Sequence, residues 1–305
     1  MKHIFVINSH AGKKNFATEL RSQLAQIPDL DYYVFNTRKA GEEATLVRQI
    51  REIFDDEKIR FYCCGGSGTF RNMLNGFEHL EDIELAFYPC GLTNDFIKVF
   101  GKDASKFNDI KALIDGDVVK IDYLKSNNGV MLNTLSFGVD SKTVEIINRF
   151  HYLQIVNENL PYNVGVVFSM LGSDMNEFII EHDNGTYRGK CTEVVFGNGI
   201  VYGGNLHFTQ TVDITDGKGY LRVLFPKKGI GRLNMMLNAI NSNYEKMNRI
   251  SETSLTKKVR IRRADGAEIA VNQDGEIVKG ISEWTVEIVP RGLQFVIPKG
   301  VRLNG

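Results

Sequence analysis

The sequence predicts an α/β domain built on a largely parallel sheet, followed by a β-sandwich domain. Three observations carry that prediction. Short apolar runs alternate with helical periodicities up to Tyr123; glycine-rich turns sit where those runs give way to helix; and beyond Tyr123 the texture changes to many short strands punctuated by Gly, Asn and Asp. Alternating strands and helices imply crossovers that cover both faces of a parallel sheet, whereas closely spaced short strands are the pattern of a sandwich.

Taken in order, residues 3–7 form an apolar run that stops at Asn8-Ser9-His10-Ala11-Gly12, after which Phe16, Leu20, Leu24 and Ile27 recur at helical spacing. Residues 32–35 read as the next strand, residues 42–54 as a helix, and residues 60–64 as a strand whose Gly-rich turn opens a helix near Thr69. A strand over 85–88 leads through Pro89-Cys90-Gly91 to a helix over 96–100. In the second half, strands are expected over 130–135, 178–181, 194–198, 220–225, 259–263, 268–271 and 285–289, with helical stretches over 141–149 and 232–248. The division expected is 1–123 and 124–290, with 291–305 returning to the first domain and a cleft between the domains as the natural ligand site.

A chain of 305 residues with 43% hydrophobic content can fill real cores, which excludes disordered and fibrous classes. Lys plus Arg and Asp plus Glu both number 37, so no whole-chain field exists to gather nucleic acid, and no nucleic-acid partner is expected. Cys63, Cys64, Cys90 and Cys191 show neither CxxC spacing nor paired histidines, which argues against a disulfide framework or zinc site and for a reducing cytoplasm. Met-Lys-His runs directly into the first strand with no charged leader, long apolar core or small-residue cleavage site, so secretion is not expected, and the longest apolar stretch, residues 164–171, is too short to span a bilayer.

Gly65-Gly66-Ser67-Gly68-Thr69 follows a buried strand and opens a helix. Its glycines would let backbone N–H groups approach a phosphate, although a tight strand-to-helix turn uses the same residues. The loops at residues 8–14 and 91–95 also end strands, where ligands of open α/β sheets gather, and Lys13 and Lys14 could neutralise phosphate there or simply be solvated. Asp274-Gly275-Glu276 offers two carboxylates for a general base and a magnesium or ribose contact, yet Asp-Gly is also a common type I′ hairpin pair, as is Asp216-Gly217. Lys257, Lys258, Arg260, Arg262 and Arg263 alternate with Val259 and Ile261, a face suited to anionic lipid or to solvent.

In their order these pieces resemble, over nearly the whole chain, the bacterial soluble lipid kinases with a diacylglycerol kinase catalytic domain. Asn8 to Lys13 is similar to the family's Asn-Pro-x-Ser-Gly loop, Gly65 to Thr69 with Asn75-Gly76 to its Gly-Gly-Asp-Gly-Thr loop, and Gly91 to Phe96 to its Gly-Thr-x-Asn-Asp-Phe segment. Asn133 to Asp140 resembles Asn-x-x-Ser-x-Gly-x-Asp, and Gly197-Asn198 with Tyr202-Gly203-Gly204 resembles a later Asn and Gly-Gly motif. Asp216-Gly217-Lys218, Asp274-Gly275-Glu276 and the tail from Pro290 to Pro298 then follow in order.

The resemblance implies an ATP-binding α/β domain, a β-sandwich second domain and transfer of the ATP γ-phosphoryl group to a lipid hydroxyl such as that of diacylglycerol. It implies that Asn8, Ser9, His10, Ala11, Gly12, Thr37, Gly65, Gly66, Ser67, Gly68, Thr69, Thr93 and Asp95 surround the nucleotide, with Asp274 as general base and Glu276 contacting the nucleotide or its metal. Asp216 would hold a structural Mg²⁺, and Asp95 and Asp122 match acidic positions of a water and magnesium network. Peripheral contact with the inner face of the cytoplasmic membrane follows if the acceptor is a bilayer lipid, and a homodimer is open. The departures are the missing Pro and Ser of the first loop, Leu92 for Thr, and Ser67 where the family carries Asp. That last change gives the alternative of a catalytically weak or inactive nucleotide- or lipid-binding relative; a kinase of a soluble acceptor is the third reading.

Overall fold

The computed structural model describes residues 1–9, 11, 16–39, 41–55, 57–91, 94–138 and 176–303. The helix expected over 141–149 and the apolar stretch 164–171 lie outside them. The chain divides into two compact units, one formed by Met1–Tyr123 with Val289–Gly305 and the other by Leu124–Ile288.

In the first unit the strands are β1 (Lys2–Ile7), β2 (Tyr32–Asn36), β3 (Ile59–Gly65) and β4 (Glu84–Pro89), separated by α1 (Phe16–Leu24), α2 (Glu43–Ile53) and α3 (Ser67–Leu74). They pair in parallel in the order β2-β1-β3-β4, and β4 is joined by the far end of the last strand, β18 (Glu283–Ile297), through Gln294↔Glu84, Phe295↔Leu85 and Val296↔Ala86. This is the returning strand that the tail sequence led us to expect. Strands β3 and β4 are buried at every position, as parallel strands covered on both faces must be. Phe295 closes the core against Phe70, Phe96, Phe100 and Phe107, with ring centroids 5.6–6.3 Å apart.

The segment expected as a helix over 96–100 is a 3-10 stretch, Phe96–Asn108, in which Gly101 takes φ +55° and interrupts the helical path. It leads into α4 (Ile110–Ile114), capped by the Asp109 carboxylate, which accepts the Ala112 N–H at 3.0 Å. At the other end of α4, Arg60 donates to the carbonyls of Ile114 and Gly116 at 2.9 and 3.1 Å while pairing with Glu84 at 2.9 Å.

The second unit packs two sheets around Phe137, Phe178, Ile180, Phe196, Val259, Ile261 and the fully buried Trp284. One sheet takes the near end of β18, β15 (Lys258–Arg263), β8 (Glu177–His182) and β9 (Gly185–Lys190), all antiparallel. The other runs β14 (Ser251–Thr256), β13 (Gly219–Leu224), β10 (Glu193–Gly197), β7 (Thr134–Gly138), β16 (Val271–Gln273), β17 (Glu276–Val278). Strands β5 (Asp117–Ser126) and β6 (Gly129–Met131) form a hairpin, and β11 (Val201–Tyr202) pairs with β12 (Leu206–His207).

Three expectations are corrected here. The strand over 130–135 is two strands, β6 and β7, broken at Leu132-Asn133 because those backbone N–H groups serve a side chain instead of a ladder. The strand placed over 268–271 is β16, three residues later at its start, since Ile269 pairs its backbone with Ile281 outside the regular ladder. The single helix over 232–248 is α5 (Ile230–Ile240) and α6 (Tyr244–Asn248), parted where Ser242 takes φ +54°. On β15 the basic set is matched across the sheet: Arg260 meets Glu283 at 2.8 Å and Glu181 at 3.8 Å, Arg262 meets Glu181 at 3.8 Å, and Lys258 meets Glu287 at 3.6 Å. That pattern is a solvated strand with compensated charge.

Candidate functional site

In a parallel sheet every strand ends on the same edge, so the loops after β1 to β4 meet. Asn8 donates its side-chain N–H to Thr69 Oγ1 at 2.8 Å, linking the loop after β1 to α3. Ser9 Oγ donates to the Thr37 carbonyl at 2.5 Å, linking it to the loop after β2. Cys90 N–H and Gly91 N–H both donate to the Gly65 carbonyl, at 2.9 and 3.1 Å. A Cβ on Gly91 would lie 2.4 Å from Gly66 Cα, and one on Gly65 would lie 2.5 Å from Thr69 Cβ, so both positions need glycine for the close approach.

These contacts surround the N-terminus of α3. The first-turn N–H groups of a helix have no acceptor within the helix, and its dipole makes this end attractive to anions. A Cβ at Gly68 would meet nothing within 4 Å, so space is open beside that turn. Asn94 spends its N–H on the Gly91 carbonyl at 2.9 Å and leaves a buried Oδ1 without a partner among the described residues. The orphaned acceptor and the glycine cradle both fit a bound polar ligand such as a nucleotide.

Ser67 is buried and accepts the Asp95 backbone N–H on its Oγ at 3.3 Å. The buried Asp95 carboxylate in turn meets Lys98 at 3.0 Å. A carboxylate therefore does lie in the loop cluster, on Asp95, 28 residues along the chain from Ser67 and joined to it by that hydrogen bond. Burial pushes the Cys90 thiol up to about 12 and the Cys63 and Cys64 thiols well above their ordinary value, so these neighbouring cysteines are protonated and not nucleophiles. His10, Gly12, Lys13, Lys14 and Thr93 lie outside the described residues.

In the second unit, Asp274 and Gly275 have φ of +49° and +96° and turn β16 into β17, with Gln273 opposite Glu276. Two positive φ values are those of a type I′ turn, so the hairpin reading of Asp-Gly holds. The side chain does something more. Asp274 is buried, and its carboxylate accepts N–H donors from Leu132 at 2.8 Å, Asn133 at 3.1 Å and Thr134 at 2.8 Å. Those are the residues at the break between β6 and β7, so the turn and the break are two ends of one constraint.

Glu276 is exposed on β17. Asp122 is fully buried and accepts the Arg291 N–H at 2.7 Å, holding Arg291 at φ +50° within β18. Asp216 is exposed, and its carboxylate accepts the Lys218 N–H at 2.8 Å in a turn of its own. Among the described residues no group of three or more His, Cys, Asp or Glu side chains gathers as a cation cage. Asp95 nevertheless suits Mg²⁺, which keeps several waters and is commonly held by one or two carboxylates together with substrate phosphates.

Two family models divide the chain between them: "Diacylglycerol kinase catalytic domain" matches residues 2–126, and "YegS C-terminal NAD kinase beta sandwich-like domain" matches residues 133–297. The chain belongs to the diacylglycerol kinase-like lipid kinase family. Of its curated relatives, "Putative lipid kinase YtlR" of Bacillus subtilis is 34% identical over 103 residues, a stretch covering 33% of each chain. "Putative lipid kinase SAS0691" of Staphylococcus aureus is 21% identical over 96% of both chains. A crystal structure described as "a putative diacylglycerol kinase" of Bacillus anthracis superposes with a TM-score of 0.73 over 99% of this chain and 98% of that one, at 21% identity. The two-domain fold expected from the sequence is thus the family's fold.

Sequence reasoning missed Asn94, Lys98 and the backbone of Leu132 to Thr134. Asn94 and Asn133 stand in motifs quoted above, but their roles depend on which atoms the fold leaves unpaired. No sequence spacing shows that Asp274 reaches back about 140 residues to three amides.

Proposed function

We propose that the protein is an ATP-dependent lipid kinase that transfers the γ-phosphoryl group to a lipid hydroxyl such as that of diacylglycerol. The observation that carries this reading is the convergence of four strand-end loops on the N-terminus of α3, with glycines where backbone must approach closely. Loops of this kind hold a nucleotide by its phosphates, and phosphoryl transfer asks chiefly for positioning and charge stabilisation. The acceptor oxygen bonds to the γ-phosphorus, the bond to the β–γ bridging oxygen breaks, ADP leaves, and the hydroxyl proton passes to Asp274. Asp95 would hold Mg²⁺ beside the phosphates, where the ion would supply charge neutralisation. With a bilayer lipid as acceptor, the protein works as a peripheral protein at the inner face of the cytoplasmic membrane.

The test is incubation with radiolabelled ATP, Mg²⁺ and mixed lipid micelles, with Asp274→Asn as the control. Label entering the lipid fraction, and lost in a control that remains folded, supports the kinase and its base. No label from protein that binds ATP overturns it. A second reading, a weakly active or inactive nucleotide-binding relative, rests on Ser67, whose hydroxyl holds the Asp95 N–H where the family offers a carboxylate. Activity that appears only in Ser67→Asp would favour that reading.

A further inference from the structure

Helix α5 (Ile230–Ile240) has two apolar faces, and among the described residues only one of them is packed inside its unit. Met235, Met236 and Ala239 pack with Tyr202, Leu206, Phe208 and Leu224. On the other side Ile230, Leu233 and Leu237 are 84%, 42% and 46% exposed. Their spacing of three and four residues places them in one stripe along the helix. A surface helix ordinarily turns charged residues outward, and one that is apolar all round is ordinarily buried.

The stretch of chain that carries this stripe is predominantly basic, and the acid packed against the helix's inner side, Glu193, is buried. Residues 226–243 contain no Asp or Glu, and Lys227 and Lys228 lead into the helix just after the partly exposed Phe225. Over 225–250 the basic residues are Lys227, Lys228, Arg232, Lys246 and Arg249, against the single acid Glu245, which Arg249 engages at 2.5 Å. Arg222 on the neighbouring β13 is 1% exposed, and its guanidinium donates to the Phe208 carbonyl, Ser251 Oγ, Tyr220 OH and Asn248 Oδ1 at the end of α6. Each of those acceptors is neutral, so the buried arginine is hydrogen-bonded but its charge is not cancelled by them.

We propose that this face of α5 docks on an anionic lipid bilayer. Ile230, Leu233 and Leu237 would enter the acyl boundary, and Lys227 and Lys228 would sit at headgroup level. Apolar area together with basic flanks is the combination that holds an amphipathic helix in a membrane interface. The choice of a bilayer as the partner rests on the lipid-kinase reading, and it names the surface by which such an enzyme would reach a substrate dispersed in a membrane.

The test is sedimentation of the full chain, without nucleotide, with phosphatidylcholine vesicles that do or do not contain phosphatidylglycerol. The parent should bind the anionic vesicles, and less so as salt is raised. Lys228→Ala should weaken binding about fivefold, and the double variant Leu233→Asp/Leu237→Asp by roughly tenfold or more. Both variants should keep the parent's melting temperature and should match its turnover on short-chain acceptor dispersed in detergent. That last comparison separates this inference from the kinase reading, since a face variant active in detergent but unable to bind vesicles supports docking. Equal vesicle binding by parent and variants would overturn the proposal, as would failure of the parent to bind anionic vesicles. A parent dimer that the double variant breaks into monomers, seen by light scattering, would make the face a contact between copies instead.

Discussion

Replacing Asp274 should cost stability in an order set by how many amides lose their acceptor. Three N–H groups, from Leu132, Asn133 and Thr134, end on this carboxylate, and all three residues are buried. A hydrogen bond to a charged group is worth about 1.5–3 kcal/mol, and a buried donor left unpaired costs the whole desolvation penalty. Asp274→Ala strands all three and puts Ala at φ +49°, so a loss of roughly 4 kcal/mol or more is expected. Asp274→Asn keeps one acceptor oxygen and tolerates positive φ, so about 2 kcal/mol is expected. The chain's single tryptophan, Trp284, is fully buried in the same unit and reports its unfolding by fluorescence. With a urea slope of about 2 kcal/mol/M, the midpoints should fall by ~1 M for Asn and ~2 M for Ala. An Ala variant within about 0.5 M of the parent at unchanged slope, or an Asn variant less stable than Ala, would refute this account of the break between β6 and β7. The same curves show whether a silent Asp274→Asn control is folded.

Three further outcomes are expected. Gly91→Ala should lower the melting temperature and abolish ATP binding by calorimetry, because its Cβ meets Gly66 backbone, which cannot give way as a side chain can. His3 is held at about 4 by burial and then by the Arg60 charge, with its ring 2.7 Å from the Tyr62 hydroxyl. The unfolded chain therefore binds a proton first as pH falls, and up to ~3 kcal/mol of stability should be lost between pH 6.5 and 4, a slope that His3→Phe should flatten in calorimetric melts. Glu84→Gln should destabilise the first unit by about 3 kcal/mol, since the buried Arg60 keeps its charge and loses its partner, whereas an Arg60→Met/Glu84→Met pair should cost less than Glu84→Gln alone.

The α/β half was legible because its strands are buried on both faces and its helices on one, so the apolar periods in β1, β3, β4, α1 and α2 survive in the sequence almost unedited. The errors fall where a side chain or a positive φ overrides local pattern. Leu132-Asn133 looks like the middle of a strand, and only the distant Asp274 makes it a break. Ser242 carries no glycine to announce the kink between α5 and α6. Asp274-Gly275 permitted two readings, hairpin and functional carboxylate; the hairpin is present, and the carboxylate also holds three backbone N–H groups that no local pattern announces. The phosphate-loop reading of Gly65 to Thr69 could be written from composition, but the approach of Gly91 to Gly66 belongs to strand order, which a linear pattern does not contain.

The last strand has a consequence for how the protein is made. Residues 289–297 of β18 belong to the first unit, where Gln294 to Val296 pair with β4 and Phe295 plugs the aromatic core. When synthesis reaches Ile288, every residue of the second unit has been added, while β4 still lacks its neighbour and the Phe70, Phe96, Phe100 and Phe107 rings still lack their centre. Ordinary domain-by-domain folding from the N-terminus is closed to such a chain. The first unit must wait for residues 289–297, with an unpaired sheet edge exposed in the meantime. Premature termination anywhere in this stretch would thus damage the half of the protein synthesised first.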